Sequence, residues 1–305
     1  MIRRTVALLA ATALAGCSLA PPYRRPPAPI PPTLPQGEAY PAPAAGVAPS
    51  VSYRALFRDP RLQALIGEAL ANNRDLRIAA ANLAAARAQV RVARSAQFPE
   101  IDATGGATYR RGAGTTYALQ GGVSAFELDL FGRLANATAA QRERAFASEA
   151  DARTVRIGLV ADLTNAWISY AADRDLRAIS EDTAANAQRA VELTRLRLEG
   201  GIAPRTDLRQ AQQVLDTAQE DLAQQKAALA QDENLIRLLV GASFDPALLP
   251  SGLGQIDGEF TPLAAGTSSE VLLHRPDGEQ AVLFLEAANA DVGVARAERF
   301  ARISL

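Results

Sequence analysis

The sequence predicts a mainly α fold with long, antiparallel, coiled-coil-like helices and one transmembrane β-hairpin. Three observations predict it. Residues Asp277–Ile303 repeat Asp75–Ile101 at a constant offset of 202, with 12 identities over 27 ungapped positions, among them Leu83/Leu285, Arg94/Arg296 and Phe98/Phe300. Leu134–Glu199 holds no proline and one glycine, Gly158. Ile101–Ala125 alternates apolar and polar residues instead. A repeat at fixed offset marks a duplicated unit. The second and third features mark a very long helix and a pair of strands.

Composition agrees. Aromatics make up 5% of the 305 residues, with one each of Trp, Met, His and Cys. Such Ala- and Leu-rich, aromatic-poor composition belongs to long helices. The net charge of −1 gives no reason to expect a nucleic-acid partner. A lone cysteine excludes an intrachain disulfide and a Cys-based metal site.

Residues 1–16 read as an export signal. Arg3 and Arg4 precede the apolar run Val6–Ala15, which is too short to span a membrane as a helix. Leu14-Ala15-Gly16-Cys17 resembles the bacterial lipobox, in which the cysteine is lipidated and becomes the mature N-terminus. Ser18, following it, favours the outer membrane. Residues 17–55 are expected to be the lipidated Cys17 and a semi-extended tether, because Pro21–Pro49 is proline-rich and poor in bulky apolar residues.

A short amphipathic helix is expected from Asp59 or Pro60 to about Ala71. Asn72 and Asn73 break and recap the chain, and a second helix runs from Asp75 to Gln97. Its seam of Leu76, Ala79, Leu83, Ala86, Val90 and Ala93 has coiled-coil spacing, with alanines that let helix axes approach. Phe98-Pro99 ends it. The hairpin occupies about 100–126. Ile101, Ala103, Gly105, Ala107 and Tyr109 lie on one face of the first strand, and Tyr117, Leu119, Gly121, Val123 and Ala125 on one face of the second. The turn is expected at Gly112–Thr115. Length and dyad pattern match transmembrane barrel strands.

The long helix is expected over about 134–199, roughly 100 Å at 1.5 Å per residue. Gly200-Gly201 stops it, and 200–206 turns the chain. Thr206 or Asp207 is expected to cap the next helix, about 207–240. Leu208, Leu215, Leu222, Leu229 and Ile236 recur there every seven residues. Gly241 ends it, and Pro246–Pro262 is irregular. The two shorter helices, end to end, nearly match the long one in length. They can therefore pair with it antiparallel, with hairpin and Gly-Gly turn at opposite ends.

A lone hairpin leaves strand edges unpaired in hydrocarbon, so further strands from copies of the chain are needed. No nucleophile–base pair or phosphate-cradling loop appears, and an enzyme is not expected. His274, the only histidine, reads as a surface or capping residue beside Arg275-Pro276.

Six segments carry a family resemblance: Leu14-Ala15-Gly16-Cys17; Phe57-Arg58-Asp59-Pro60-Arg61-Leu62; Ala71-Asn72-Asn73-Arg74-Asp75-Leu76; Glu127-Leu128-Asp129-Leu130-Phe131-Gly132-Arg133; Gly200-Gly201 through Asp207-Leu208-Arg209-Gln210-Ala211; and Arg275-Pro276-Asp277 with Ala287-Ala288-Asn289-Ala290. In this order they resemble the TolC/OprM-like outer-membrane efflux proteins (outer membrane factors), within them the lipoprotein, NodT-type branch. The resemblance implies a homotrimer. Its long helices form part of a periplasmic α-barrel, and its strands contribute to an outer-membrane β-barrel.

It also implies a passive duct for small solutes or drugs, supplied by an inner-membrane pump through a periplasmic adaptor. Cofactors are not implied beyond the covalent lipid on Cys17. Residues 56–270 would be a first efflux repeat and 271–305 the start of a second, truncated one. The tip that meets the adaptor would comprise Gly200, Gly201, Ala203, Pro204, Arg205, Thr206 and Asp207. Family members continue beyond Leu305 through a second hairpin and long helix. Ala301 replaces the expected proline, and Gly278 weakens the helix start, which suggests an eroded second copy. The alternative is a non-conducting, lipid-anchored periplasmic helical scaffold.

Overall fold

The computed structural model describes residues 18–27, 52–124, 126–261 and 269–304. The expected signal peptide, Cys17, most of the expected tether, Ala125 and residues 262–268 lie outside the described residues. The elements are α1 (Tyr53–Leu56), α2 (Pro60–Asn72), α3 (Arg74–Ser95), β1 (Glu100–Arg110), β2 (Gly114–Ser124), α4 (Arg133–Glu199), α5 (Arg205–Val240) and α6 (Pro276–Ala297), with short 3-10 turns between α5 and α6.

The duplication is visible in the backbone. Adding 202 to both ends of α3, Arg74 and Ser95, gives Pro276 and Ala297, the ends of α6, and each helix has 22 residues. Gly278 does not delay the second helix. Asp277 accepts its amide at 3.0 Å and pairs with Arg275 at 2.6 Å, which fixes the first turn.

The chain divides into two compact units, one of residues 33–77 and 155–268, the other of 1–32, 78–154 and 269–305. In the first, Leu62, Leu65 and Ile66 of α2 bury against Leu163 and Trp167 of α4 and Ile236 and Val240 of α5. Asp59 caps α2, accepting from the amides of Arg61 and Leu62. Burial pushes its carboxyl up, but the Arg61 guanidinium and these amides outweigh that and hold it low. The segment after α5 folds back here: Arg58 N donates to Glu259 O at 2.8 Å, and Phe57 meets Phe260 edge to face. Asn73 joins α2 to α3. Its Oδ1 caps Leu76 N at 3.0 Å, and its Nδ2 reaches Leu239 O near the end of α5 at 2.8 Å.

Farther along α4 and α5 the seam is small and antiparallel, with Ala184, Ala187 and Val191 against Leu215 and Ala218. In the other unit, the buried positions of α4 and α6 are largely alanine: Ala140, Ala147 and Ala150 on α4, and Ala287, Ala290, Gly293 and Ala297 on α6. Small residues permit the close approach that the sequence seam anticipates. Arg87–Glu149 (2.9 Å) ties α3 to α4, and Arg153–Glu279 (2.7 Å) and Arg144–Asp291 tie α6 to it.

Two expectations are corrected. The hairpin turn is Arg111-Gly112-Ala113, so β2 starts at Gly114, earlier than expected; Gly112 and Gly114 supply the positive φ values that close it. Two stretches of the expected tether of residues 17–55 are described: Tyr53–Ala55 belong to α1, and Ser18–Pro27 is held by the body of the protein. The latter lies on α6, where Asn289 Nδ2 donates to Pro21 O at 2.9 Å.

Candidate functional site

The hairpin pairs antiparallel from Glu100↔Ser124 to Arg110↔Gly114. Directly opposed residues share a face. The register matches Ile101 with Val123, Gly105 with Leu119 and Ala107 with Tyr117, so the apolar positions of both strands form one face. Asp102, Thr104, Thr108, Thr116 and Gln120 form the other. The apolar face is bare: Ile101 is 79% exposed, Tyr117 80% and Leu119 87%. A contiguous exposed apolar face of this kind marks an interaction surface, for protein or for membrane.

The base of the hairpin is firmly held. Gln97 Nε2 donates to Leu134 O (3.2 Å) and Thr138 Oγ1 (2.7 Å), joining the chain before β1 to the start of α4. Arg133 grips Glu127 through both carboxylate oxygens, with Nε at 2.9 Å from Oε1, and holds that carboxyl below its ordinary value. Phe131 stacks on Phe300, ring centroids 4.4 Å apart, and Leu128 N donates to Ile303 O at 2.9 Å. Ile303, the equivalent of Ile101, thus runs beside the residues that follow β2, and Glu127 and Ser304 form an antiparallel bridge. Leu128 and Phe131 stood in a recognised segment, but their partners Ile303 and Phe300 were invisible without tertiary structure.

The Gly200 turn is a Schellman motif. Ile202 N donates to Arg197 O (2.8 Å) and Gly201 N to Leu198 O (3.0 Å), with Gly201 at φ +76°. Gly200, Ala203 and Pro204 complete it, and Ala203 is buried. The expected caps are corrected: neither Thr206 nor Asp207 caps α5. The helix starts at Arg205 with Pro204 in the extended cap position. Proline presets the entry angle, and Asp207 sits in the first turn, where the helix dipole favours a carboxylate. Ile202, absent from the expected tip residues, is 74% exposed at the apex. Its position directly after the Gly200-Gly201 stop was the available signal.

Among the described residues, no group of three or more metal-ligating side chains occurs. His274 is exposed. No described helix is long and apolar enough to cross a membrane.

The family model described as "Outer membrane efflux protein" matches residues 65–242, from α2 to the end of α5. The chain belongs to the outer membrane efflux protein family. As a family member it is a protein of the outer membrane. It is 40% identical to the probable efflux pump outer membrane protein TtgC of Pseudomonas putida over 312 residues, covering 97% of this chain and 64% of TtgC. It is 35% identical to the cation efflux system protein CusC of Escherichia coli K12, over 97% of this chain and 65% of CusC. The chain thus spans under two thirds of the length of these relatives.

Among solved structures, a membrane protein from Pseudomonas aeruginosa matches with TM-score 0.77 at 30% identity, covering 94% of this chain and 66% of that one. The open-state MtrE outer membrane channel of Neisseria gonorrhoeae matches with TM-score 0.71 at 29% identity, over 94% and 65%. These efflux-family relatives are channel and pump components rather than enzymes. The mostly helical architecture is that of the family's channels.

Proposed function

We propose that this chain forms one wall segment of a passive outer-membrane efflux duct. The observation that carries the reading is the hairpin: two paired 11-residue strands with an uncovered apolar face, set on an antiparallel helical body. Strands of that length, tilted, match the hydrocarbon thickness, and a bilayer supplies the missing cover. Closure of the sheet edges requires strands from neighbouring subunits, and a homotrimer with a common β-barrel and a periplasmic α-barrel meets that need. Cys17 carries the lipid anchor in the outer membrane. The Schellman turn, with Gly200, Gly201, Ala203, Pro204, Arg205, Thr206 and Asp207 around the exposed Ile202, is the contact for a periplasmic adaptor. That adaptor joins the duct to an inner-membrane pump, which selects the small solutes or drugs exported.

Planar-bilayer reconstitution tests the duct. Stepwise, stable conductance from the purified lipidated protein is expected. Membrane association through lipid alone, with helical spectra and no conductance, overturns the duct in favour of a non-conducting scaffold.

A further inference from the structure

A cleft of about 480 Å³ opens between α4 and α5, beside the buried Tyr170. Arg174, Arg177 and Glu181 line it on α4, and Lys226, Leu229 and Glu233 on α5. Ser251, from the segment that folds back after α5, borders it too.

The carboxylates of this cleft already have partners. Arg177 Nε lies 3.0 Å from Glu181 Oε1, and Arg237 Nη2 lies 2.7 Å from Glu233 Oε1. Asp175 Oδ2 accepts from Leu253 N at 2.9 Å. Two cations are left over. Lys226 has no hydrogen bond or ion pair among the described residues. Arg174 meets only Tyr170 there, donating from Nη1 to the phenol oxygen at 3.5 Å. Tyr170 is 6% exposed, and its own hydroxyl proton has no acceptor among the described residues.

Arg174, Lys226 and Tyr170 therefore bring unused donors to one cavity. A guanidinium offers a planar fork of N–H groups that fits two oxygens of one oxyanion, and an ammonium adds a compact point charge. Two positive charges attract a dianion more strongly than a monoanion. Leu229 is buried, and Ala178 and Ala230 beside it make the rest of the wall apolar. The volume falls within the range of small-molecule sites, about 300–1,000 Å³. It leaves room for an organic group behind a charged head.

We propose that this cleft binds a small phosphate monoester. Arg174 and Lys226 take the phosphoryl oxygens, the Tyr170 hydroxyl donates to one of them, and the organic group lies against Leu229. The site belongs to the helical body alone, so it goes beyond the duct reading and does not depend on it.

Lys226 is the only lysine in the chain, so amine chemistry on side chains reports on this cleft alone. The test is reductive methylation of the full protein, followed by mass spectrometry of the peptide holding Lys226. It is run with phenyl phosphate, inorganic phosphate, benzoate or chloride at matched ionic strength. Phenyl phosphate at about ten times its dissociation constant is expected to slow methylation about tenfold. Inorganic phosphate should need a higher concentration for the same effect, and benzoate and chloride should leave the rate unchanged. Arg174→Gln is expected to abolish the protection without changing the rate in chloride. Arg209→Gln, at an exposed arginine elsewhere on α5, should leave it intact. Equal rates in phenyl phosphate and chloride overturn the site, as does protection that survives Arg174→Gln or is lost equally in Arg209→Gln. Benzoate as effective as phenyl phosphate overturns the assignment to a phosphate. Slow methylation in chloride alone also overturns the site, because protein then already fills the cleft.

Discussion

Asp173 of α4 and Asp232 of α5 meet carboxyl to carboxyl, with the Oδ2 of Asp232 buried. Burial, then the neighbouring Asp173, pushes Asp232 up to about 6. Its folded value lies above its unfolded one. The pair's contribution to stability is therefore fully present below the unfolded carboxylate value and lost as pH rises through about 6. Asp232→Asn is expected to raise Tm by about 2–4 °C at pH 7.5. At pH 4 the gain should vanish. Thermal melts at both pH values check this; an equal shift at both would reject the raised Asp232 carboxyl.

Gly241 and Gly201 both end helices at φ near +75° but in different surroundings. A Cβ on Gly241 would lie 2.8 Å from Asn72 O, whereas one on Gly201 meets nothing within 4 Å. Gly201→Ala should cost about 1 kcal/mol, the ordinary left-handed strain. Gly241→Ala adds a backbone clash and should cost about 2 kcal/mol more. Denaturant midpoints of the two variants give the comparison.

Trp167 is fully buried, and its Nε1 donates to Leu248 O at 3.0 Å. Trp167→Phe keeps most of the apolar contact and orphans that carbonyl, a cost of about 1–3 kcal/mol. Trp167→Ala also leaves a cavity and should cost about 3–5 kcal/mol. Equal losses would mean that the packing of the ring adds nothing beyond the hydrogen bond.

Leu119 and Gln120 are neighbours on opposite faces of β2. If the apolar face meets lipid, Leu119→Arg near the bilayer midplane costs about 2–4 kcal/mol. Gln120→Arg faces water and leaves insertion intact. Heat-modifiable gel mobility of membrane-extracted protein distinguishes them, and matching behaviour would argue against a lipid-facing side.

At the turn of 200–207, Ile202→Asp should leave Tm within about 1 °C, because the side chain is exposed and the turn is held by backbone bonds. Copurification with the periplasmic adaptor should fall severalfold. Undiminished capture would move the adaptor contact elsewhere.

The periodic elements were legible because their patterns are local. Seven-residue leucine spacing placed α5, the absence of breakers placed α4, and strict alternation placed both strands on the right faces. Caps were less legible: Thr206 and Asp207 looked like capping residues, but Pro204 already fixes the backbone before Arg205. Long-range polar contacts were not legible at all. Nothing near Asp232 announces Asp173, some sixty residues away. The contact of Ser18–Pro27 with α6 was equally hidden, since Asn289 and Pro21 stand 268 residues apart.

The hairpin's only substantial packing among the described elements is strand against strand. The helices can therefore finish folding in water while those 22 residues wait. During transit across the periplasm, the protein is a completed body carrying an unfinished, sticky appendage. Errors in delivery should therefore surface as aggregation through the strands rather than as unfolding of the helices.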